Sequence, residues 1–234
     1  PRLVAGFSAG EDSEFPPSRD AMLARLCRAK RLGAGILATP TGHASQVLLK
    51  QAGLEGQMEE INAALTQLTR QAAGSDGLVA GTLAPAGLEL EPFGETSFTQ
   101  LMAVYRSQGS CLAKAGADCF LVETSSALQY ARCAVLALRK LKLPILASVR
   151  LERDGELQHG GSALNALTVL QALGVSAFGL RGEYDREELE ELVAQLAQMA
   201  RVPLMVQPAK YRMEGEDLCP LTQGELEAHC HRLL

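Results

Sequence analysis

The sequence predicts an α/β protein whose strands form a parallel sheet of the barrel type. Three observations lead to this fold class: seven short apolar runs, an amphipathic segment after each run, and no change of composition that would divide the chain. Continuous apolar runs are typical of parallel strands that are covered on both faces. Strict alternation of strand and helix favours either a closed barrel or a doubly wound sheet.

Predicted strands and helices alternate along the whole chain. The strand candidates are Leu3–Phe7, Gly35–Thr39, Gly77–Leu83, Cys119–Thr124, Pro144–Arg150, Ala177–Arg181 and Pro203–Gln207. The helix candidates are Ala21–Arg31, Gln57–Ala72, Ser97–Ala115, Ala127–Leu141, Ala163–Leu173, Glu187–Ala200 and a last segment after Thr222. Thr222 and Glu225 have the spacing of a capping box at the start of the last helix. Asp185 is the predicted N-cap of the helix Glu187–Ala200.

The barrel is favoured over the doubly wound sheet. No G-x-G-x-x-G follows the first strand, and this motif is the usual signature of a doubly wound sheet that binds a dinucleotide. We therefore predict a (β/α)8-type TIM barrel, a single domain over residues 1–234, with seven βα units visible and the eighth missing or truncated. The open edge between strands one and seven needs a cover, from omitted residues, a neighbouring domain or a second copy in a homo-oligomer.

Composition and charge narrow the classes of partner. The 234 residues are 47% hydrophobic with a net charge of −5, which gives no basic footprint for nucleic acid. No apolar run approaches the roughly 18 residues of a membrane span, and no secretory signal opens the chain. The six cysteines are scattered without a C-x-x-C pair, which favours reduced thiols in a cytoplasmic protein.

Several segments, in collinear order, resemble the motifs of one enzyme family. Residues 33–41 read GAGILATPT, residues 79–85 VAGTLAP, residues 105–108 YRSQ, residues 115–124 AGADCFLVET and residues 203–208 PLMVQP. They resemble the homocysteine S-methyltransferases, which include betaine-dependent enzymes and the homocysteine domain of cobalamin-dependent methionine synthase. The resemblance implies a barrel with its site at the carboxyl ends of the strands, methyl transfer to a thiol such as homocysteine, and a place in methionine biosynthesis.

The resemblance also implies a zinc ion held by three cysteines, one after strand six in a G-x-N-C segment and a pair after strand eight. Zinc suits this chemistry because coordination deprotonates a thiol at neutral pH. Here Arg181 stands in place of the Asn, Gly182 in place of the Cys, and the later pair is not in the chain. Catalytic zinc needs about three protein ligands. We therefore expect a degenerate zinc site with no metal and no other cofactor.

Polar residues at the predicted strand ends are the remaining site candidates. In the family the glutamate that matches Glu123 helps to bind the substrate amino group, whereas other family residues are replaced here by Ala5, Pro40 and Ala209. The predicted substrate-binding residues are Glu123, Thr39, Thr41, Thr124, Ser148, Arg181 and Gln207, with His43 at the rim. Each of them alone is more often a hydrogen-bonding residue of the scaffold.

A separate hypothesis concerns the partner of the Arg181 side chain. An unpaired cation in a partly dry pocket is costly, so we expect Arg181 to pair with Glu123 or Glu183, or to bind an anion such as a carboxylate or phosphate. The alternative is that its side chain turns out to solvent. For His229-Cys230-His231 we expect structural roles, because residues two apart on a helix point in different directions.

Three functions remain open from the sequence. The first is a methyltransferase-family domain that is zinc-less and weakly active or inactive. The second is a non-catalytic barrel that binds a small molecule, an amino-acid-like thiol or an anion, as part of a larger methionine-synthase-like system. The third is an unrelated barrel enzyme in which Glu123 performs acid–base catalysis.

Overall fold

A computed structural model describes residues 3–5, 18–123, 127–151, 156–157, 161–182, 186–208, 211–214 and 217–233 of the chain. The predictions made for Thr124, Glu183 and Asp185 lie outside these ranges. Contacts divide the chain into two compact units. Unit 1 comprises Pro1–Val122 and Leu136–Pro144, and unit 2 comprises Glu123–Val135 and Ile145–Leu234. The single domain that the sequence suggests stays a prediction.

Unit 1 contains parallel strands in chain order, each joined to the next by a helix. The strands are β1 (Leu3–Ala5), β2 (Ala34–Ala38), β3 (Leu78–Leu83) and β4 (Cys119–Glu123), whose last residue is counted with unit 2. The helices are α1 (Arg19–Arg31), α2 (Gln46–Gln51), α3 (Met58–Ala73) and α4 (Phe98–Lys114). Serine side chains begin three of them: Ser18, Ser45 and Ser97 accept hydrogen bonds from first-turn amides.

Unit 2 continues the alternation. Helix α5 (Leu128–Leu138) begins there, and β5 (Ile145–Leu151), β6 (Ala177–Gly182) and β7 (Leu204–Val206) pair in parallel. Between and after these strands lie α6 (Ala163–Ala172), α7 (Arg186–Met199) and α8 (Gln223–Arg232). An antiparallel hairpin of β8 (Tyr211–Glu214) and β9 (Asp217–Pro220) precedes α8.

The prediction of an α/β fold with seven visible βα units is confirmed. The seven parallel strands fall at the predicted places, and the predicted capping box of Thr222 and Glu225 begins α8. Helix α2, of six residues, and the β8–β9 hairpin, with strands of four residues each, were not predicted, because such short elements carry too little periodicity to be recognised. None of the helices in the described ranges is long and apolar enough to cross a membrane.

The buried side chains show which face of the strands the helices cover. In unit 1, Leu37 of β2 and Val79 of β3 belong to one apolar cluster with Leu26 of α1 and Leu68 of α3. Since side chains alternate along a strand, Ala38 and Ala80 must point to the other face, and they are buried as well. Both faces of these strands are therefore covered, as the apolar runs predict.

Buried amides join α3 and α4 to the segment that follows β2. Gln108 Nε2 donates to the carbonyl oxygen of Thr41 at 2.8 Å, and Asn62 Nδ2 donates to that of Ala44 at 2.8 Å. Both side chains are fully enclosed. A buried polar group without a partner costs about 1–3 kcal/mol, so these bonds hold the segment after β2 in one position.

In unit 2, α8 is attached to α7 through one carboxylate. Glu190 Oε1 lies 2.7 Å from His229 Nδ1, and Arg232 Nε donates to both oxygens of Glu190 at 2.8 and 2.9 Å. His229 is completely buried. Desolvation acts to raise the pKa of Glu190, but the hydrogen bonds from Arg232 and His229 together hold that pKa below its ordinary value.

We expect Glu190→Gln to lower the free energy of unfolding by about 1–3 kcal/mol at pH 7, because it leaves buried His229 without its anionic partner. A carboxyl whose pKa is depressed in the folded state stabilises the fold above its unfolded pKa, and this contribution is lost as the pH falls through the folded value. The difference in melting temperature should therefore shrink below about pH 4.5. Exposed Glu191 on the same helix provides the control, Glu191→Gln. A difference that does not change with pH would contradict this account.

Candidate active site

The carboxyl ends of β4 and β6 bring Glu123 and Arg181 together. Arg181 Nη2 donates a hydrogen bond to the main-chain carbonyl oxygen of Glu123 at 2.7 Å, in a partly buried position. Glu123 is the last residue of β4, and Arg181 is the last but one of β6. The bond therefore connects two strand ends that the sequence separates by 58 residues.

The Glu123 carboxyl lies in surroundings that disfavour its charge. Burial raises the pKa of Glu123 above its ordinary value, and the positive charge of Arg181 lowers it in part. A carboxyl that is largely withdrawn from water gains more from a nearby cation than an exposed one does. Perturbed groups at the ends of parallel strands are candidates for ligand binding.

Arg181 meets one of its predicted partners, but through the main chain. The hydrogen bond from Arg181 Nη2 ends at the carbonyl oxygen of Glu123, while the guanidinium charge still acts on the Glu123 carboxyl. The side chain thus turns inward, and the alternative orientation toward solvent is wrong. Glu183, the other expected partner, lies outside the described residues.

Thr39 and Thr41 are buried and bonded to the end of β3. Thr41 Oγ1 donates to the carbonyl oxygen of Thr82 at 2.8 Å. That bond uses its single hydrogen, so Thr39 Oγ1, at 2.6 Å, is the donor between the two hydroxyls. Thr39 Oγ1 accepts in turn from the Thr82 amide at 2.9 Å. We call this closed set the threonine ring; a ligand role for either hydroxyl would require it to open.

Sequence reasoning missed Thr82, Asn62 and Gln108 in this part of unit 1. Thr82 lies in the VAGTLAP segment, and Gln108 follows Tyr105-Arg106 in a segment that also carries the family resemblance. Those motifs were therefore the available signal, although they do not say which side chains meet. The pairing partners come from three different elements, α3, α4 and the segment after β2.

The remaining predicted site residues differ in burial and in position. Ser148 is buried in the middle of β5, beside Gly179 of β6, where an added Cβ would lie 2.8 Å from the Ser148 Cβ. Gln207 is exposed, and its main-chain N–H donates to the carbonyl oxygen of Leu180 at 3.0 Å. His43 is exposed as well. Thr124 lies outside the described residues.

The residues present do not fit a zinc ion of the family's kind. Gly182, at the position of one expected ligand, has no side chain to offer. Burial, with a smaller effect of the Asp118 charge, raises the pKa of Cys119 to about 11, and burial raises that of Cys133 to about 12. Cys119 also begins β4, at the end opposite Glu123. Within the described ranges, no three His, Cys, Asp or Glu residues lie close enough to hold a metal.

The residues of the His229-Cys230-His231 segment point apart. His229 is buried against Glu190, whereas His231 is exposed. The contact with Glu190 gives His229 the structural role that its helical spacing predicts.

Comparisons with known proteins agree with this geometry. The model of the homocysteine S-methyltransferase family matches residues 28–233, so the chain belongs to that family. Methionine synthase of Mycobacterium tuberculosis is 31% identical over 136 residues, which are 56% of this chain and 11% of that protein. Methionine synthase of Mycobacterium leprae is 27% identical over 163 residues, 62% of this chain and 13% of that protein. The chain thus spans a small part of the length of these relatives.

Solved structures show the same fold. The homocysteine methyltransferase MmuM from Escherichia coli, in its metallated form, superposes with a TM-score of 0.67 at 18% identity, covering 99% of this chain and 96% of that chain. Its oxidized form gives a TM-score of 0.68 at 17% identity, covering 99% and 95%. The fold is α/β of the (β/α)-barrel type, and the resemblance read from the sequence is confirmed. An unrelated barrel enzyme is thereby removed from the open functions.

For Glu123 we expect a stability that depends on pH with a definite sign. A carboxyl whose pKa is raised in the folded state destabilises the fold as the pH rises above its unfolded value, about 4.5. Glu123→Gln should therefore melt above the wild-type protein at pH 7, and this advantage should vanish below about pH 4.5. The main-chain bond to Arg181 is unaffected by the change. A variant that melts lower at pH 7 would overturn this assignment.

Removing the Arg181 side chain should have two effects. Arg181→Ala should lower the free energy of unfolding by about 1–3 kcal/mol, because a partly buried carbonyl loses a charged donor. It should also raise the pKa of Glu123, which NMR titration of the Glu123 carboxyl would detect. Exposed Arg150, the register partner of Arg181 on β5, is the matched control, and Arg150→Ala should change stability by less than about 0.5 kcal/mol. Equal effects of the two substitutions would contradict the role of Arg181.

Proposed function

We propose that this homocysteine S-methyltransferase-family domain binds an amino-acid-like thiol, or a related anion, at the carboxyl ends of β4 and β6 without a cysteine-held zinc. The observation that carries the proposal is the meeting of Glu123 and Arg181 at those ends. It supports a binding site there, because a carboxyl and a guanidinium occur at the strand ends where barrels of this type have their sites.

The charges of the two residues match a zwitterionic ligand. The Glu123 carboxyl, withdrawn from water by burial, is stabilised by an ammonium group. The Arg181 guanidinium is a planar fork of N–H donors that suits a carboxylate, and its bond to the carbonyl oxygen of Glu123 holds it at this strand end. An α-amino acid supplies both groups on one carbon atom, so a single ligand can satisfy both residues.

Methyl transfer to a thiol is expected to be weak or absent. The reaction needs a thiolate, and a free thiol has a pKa near 8.5, so only a few per cent is ionised at pH 7. A cation nearby lowers a thiol pKa, but one guanidinium acts less strongly than direct coordination to a divalent metal. Arg181 therefore supports binding and, at most, slow chemistry.

A second candidate is a non-catalytic barrel that only binds its ligand within a larger methionine-synthase-like system. The length of the relatives favours it, since the matched segment is 11% and 13% of those proteins. We further propose a cytoplasmic location and a small-molecule partner rather than a nucleic acid. The six cysteines, all free thiols, and the net charge of −5 support this.

Calorimetric titration with L-homocysteine tests the proposed site. We expect binding that a chelator leaves unchanged, and Glu123→Gln and Arg181→Gln should each weaken it at least about tenfold, the value of one lost charged hydrogen bond. N-Acetyl-homocysteine, which lacks the ammonium group, should bind the wild-type protein more weakly. It should lose little further affinity in Glu123→Gln, because the group that faces Glu123 is already gone.

Either of two results would contradict the proposal. One is the absence of homocysteine binding. The other is one zinc per chain by elemental analysis, together with binding that the chelator abolishes. Methyl-transfer assays with betaine and with methylcobalamin then separate the two candidates: slow transfer that does not depend on zinc supports the first, and binding without transfer supports the second.

A further inference from the structure

Unit 1 has two strongly exposed apolar side chains, one with acidic neighbours and the other with basic neighbours. Phe93, in the segment 84–97 between β3 and α4, is 62% exposed, and Leu32, just after α1, is 70% exposed. The other large apolar side chains at the surface of the described residues are less exposed, at 49% for Met199 and 37% for Leu54. Single surface apolar residues are ordinary, so the argument depends on what surrounds these two.

Hydrogen bonds hold the Phe93 segment in one conformation. The Glu91 amide donates to Thr96 at 3.1 Å, and the Thr96 amide donates back to Glu89 at 3.1 Å. Between them, Leu90 is only 4% exposed and anchors the segment, and its carbonyl accepts from the Phe93 amide at 3.0 Å. Phe93 is thus presented in a fixed position, which reduces the entropy lost when it is buried by a partner.

The surface around Phe93 is acidic. Glu89, Glu91 and Glu95 are all exposed, and residues 84–97 contain no Lys or Arg. We call Phe93 with these three carboxylates the acidic tip. A surface of this kind repels nucleic acid and anionic lipid, and it is complementary to a protein surface that combines an apolar side chain with basic residues.

The end of α1 has that complementary composition. Arg28 and Arg31 are exposed beside Leu32, while Lys30 is already bonded to Asp76 at 2.9 Å. We call Arg28, Arg31 and Leu32 the basic end. Arginines in the last turn also suit the helix dipole, but the dipole does not explain an exposed leucine next to them.

The acidic tip and the basic end lie at opposite ends of neighbouring parallel strands. Helix α1 ends just before β2 begins, whereas the segment with Phe93 follows the end of β3. The six residues of β3, at about 3.3 Å each, separate the two ends of the strand by roughly 20 Å. The two surfaces therefore do not meet within one molecule.

We propose that the acidic tip of one copy of this chain packs on the basic end of a second copy. The contact is head-to-tail, so it builds a ring if it closes and a chain if it does not. It uses side chains on one segment and one helix end, and no unpaired strand edge. Because the contact is small, the association is weak, depends on protein concentration and is favoured at low salt.

Sedimentation equilibrium of the purified chain measures this association. At low salt the average mass should rise with protein concentration, and about 1 M NaCl, where the Debye length is ~3 Å, should return it to the monomer. Phe93→Ser and Leu32→Ser should each weaken association at least about tenfold, by removing an apolar anchor. Leu54→Ser and Met199→Ser, which alter exposed apolar residues elsewhere, should leave it unchanged.

Charge exchange makes the test specific. One variant carries Glu91→Lys with Glu95→Lys, and the other carries Arg28→Glu with Arg31→Glu. Each alone should remain monomeric, because both of its surfaces then have the same sign, while an equal mixture should associate again. The two variants would not attract each other through their net charges, because both remain negative. The double lysine variant changes the net charge from −5 to −1, and the double glutamate variant changes it from −5 to −9. A wild-type chain that is monomeric throughout, association that survives Phe93→Ser, or a mixture that stays monomeric would overturn the proposal.

Discussion

Covering both faces of parallel strands is the constraint on which the rest of this molecule depends. In unit 1 one face packs on α1 and α3 through Leu37 and Val79, and residues on the other face, such as Ala80, are buried too. Polar side chains inside such a structure must find partners within the protein. The threonine ring and the amides of Asn62 and Gln108 satisfy this requirement where the chain leaves β2 and β3.

The strand ends are where this constraint is relaxed, and charged groups appear there. Glu123 remains at the end of β4 although burial makes its charge costly, as the raised pKa shows. Arg181 compensates part of that cost and also bonds to the main chain of the same residue. The positive charge at this strand end belongs to a guanidinium covalently attached to β6. A fixed monovalent cation can orient a ligand, but it does not coordinate and deprotonate a thiol as a metal does.

The segments that connect strands to helices carry what is particular to this chain. At the carboxyl end of β3 a hydrogen-bonded segment presents Phe93 among carboxylates, and at the opposite end of the neighbouring strand α1 ends in arginines and Leu32. The strands need only apolar residues of suitable shape, so many sequences satisfy them. Connecting segments are free of that requirement and can acquire binding surfaces without disturbing the core.

By itself, the sequence determined the order of strands and helices, the parallel sheet and the family, because apolar periodicity and collinear motifs are local properties of the chain. It also identified Glu123 and Arg181 as strand-end residues and showed that Gly182 offers no ligand. Only the tertiary structure decided that Arg181 reaches the carbonyl of Glu123, that Thr39 and Thr41 are bonded to Thr82, and that His229 is enclosed against Glu190. Each of these contacts joins residues that lie tens of positions apart, and the direction of a side chain within a strand end or a helix depends on packing that no local pattern records.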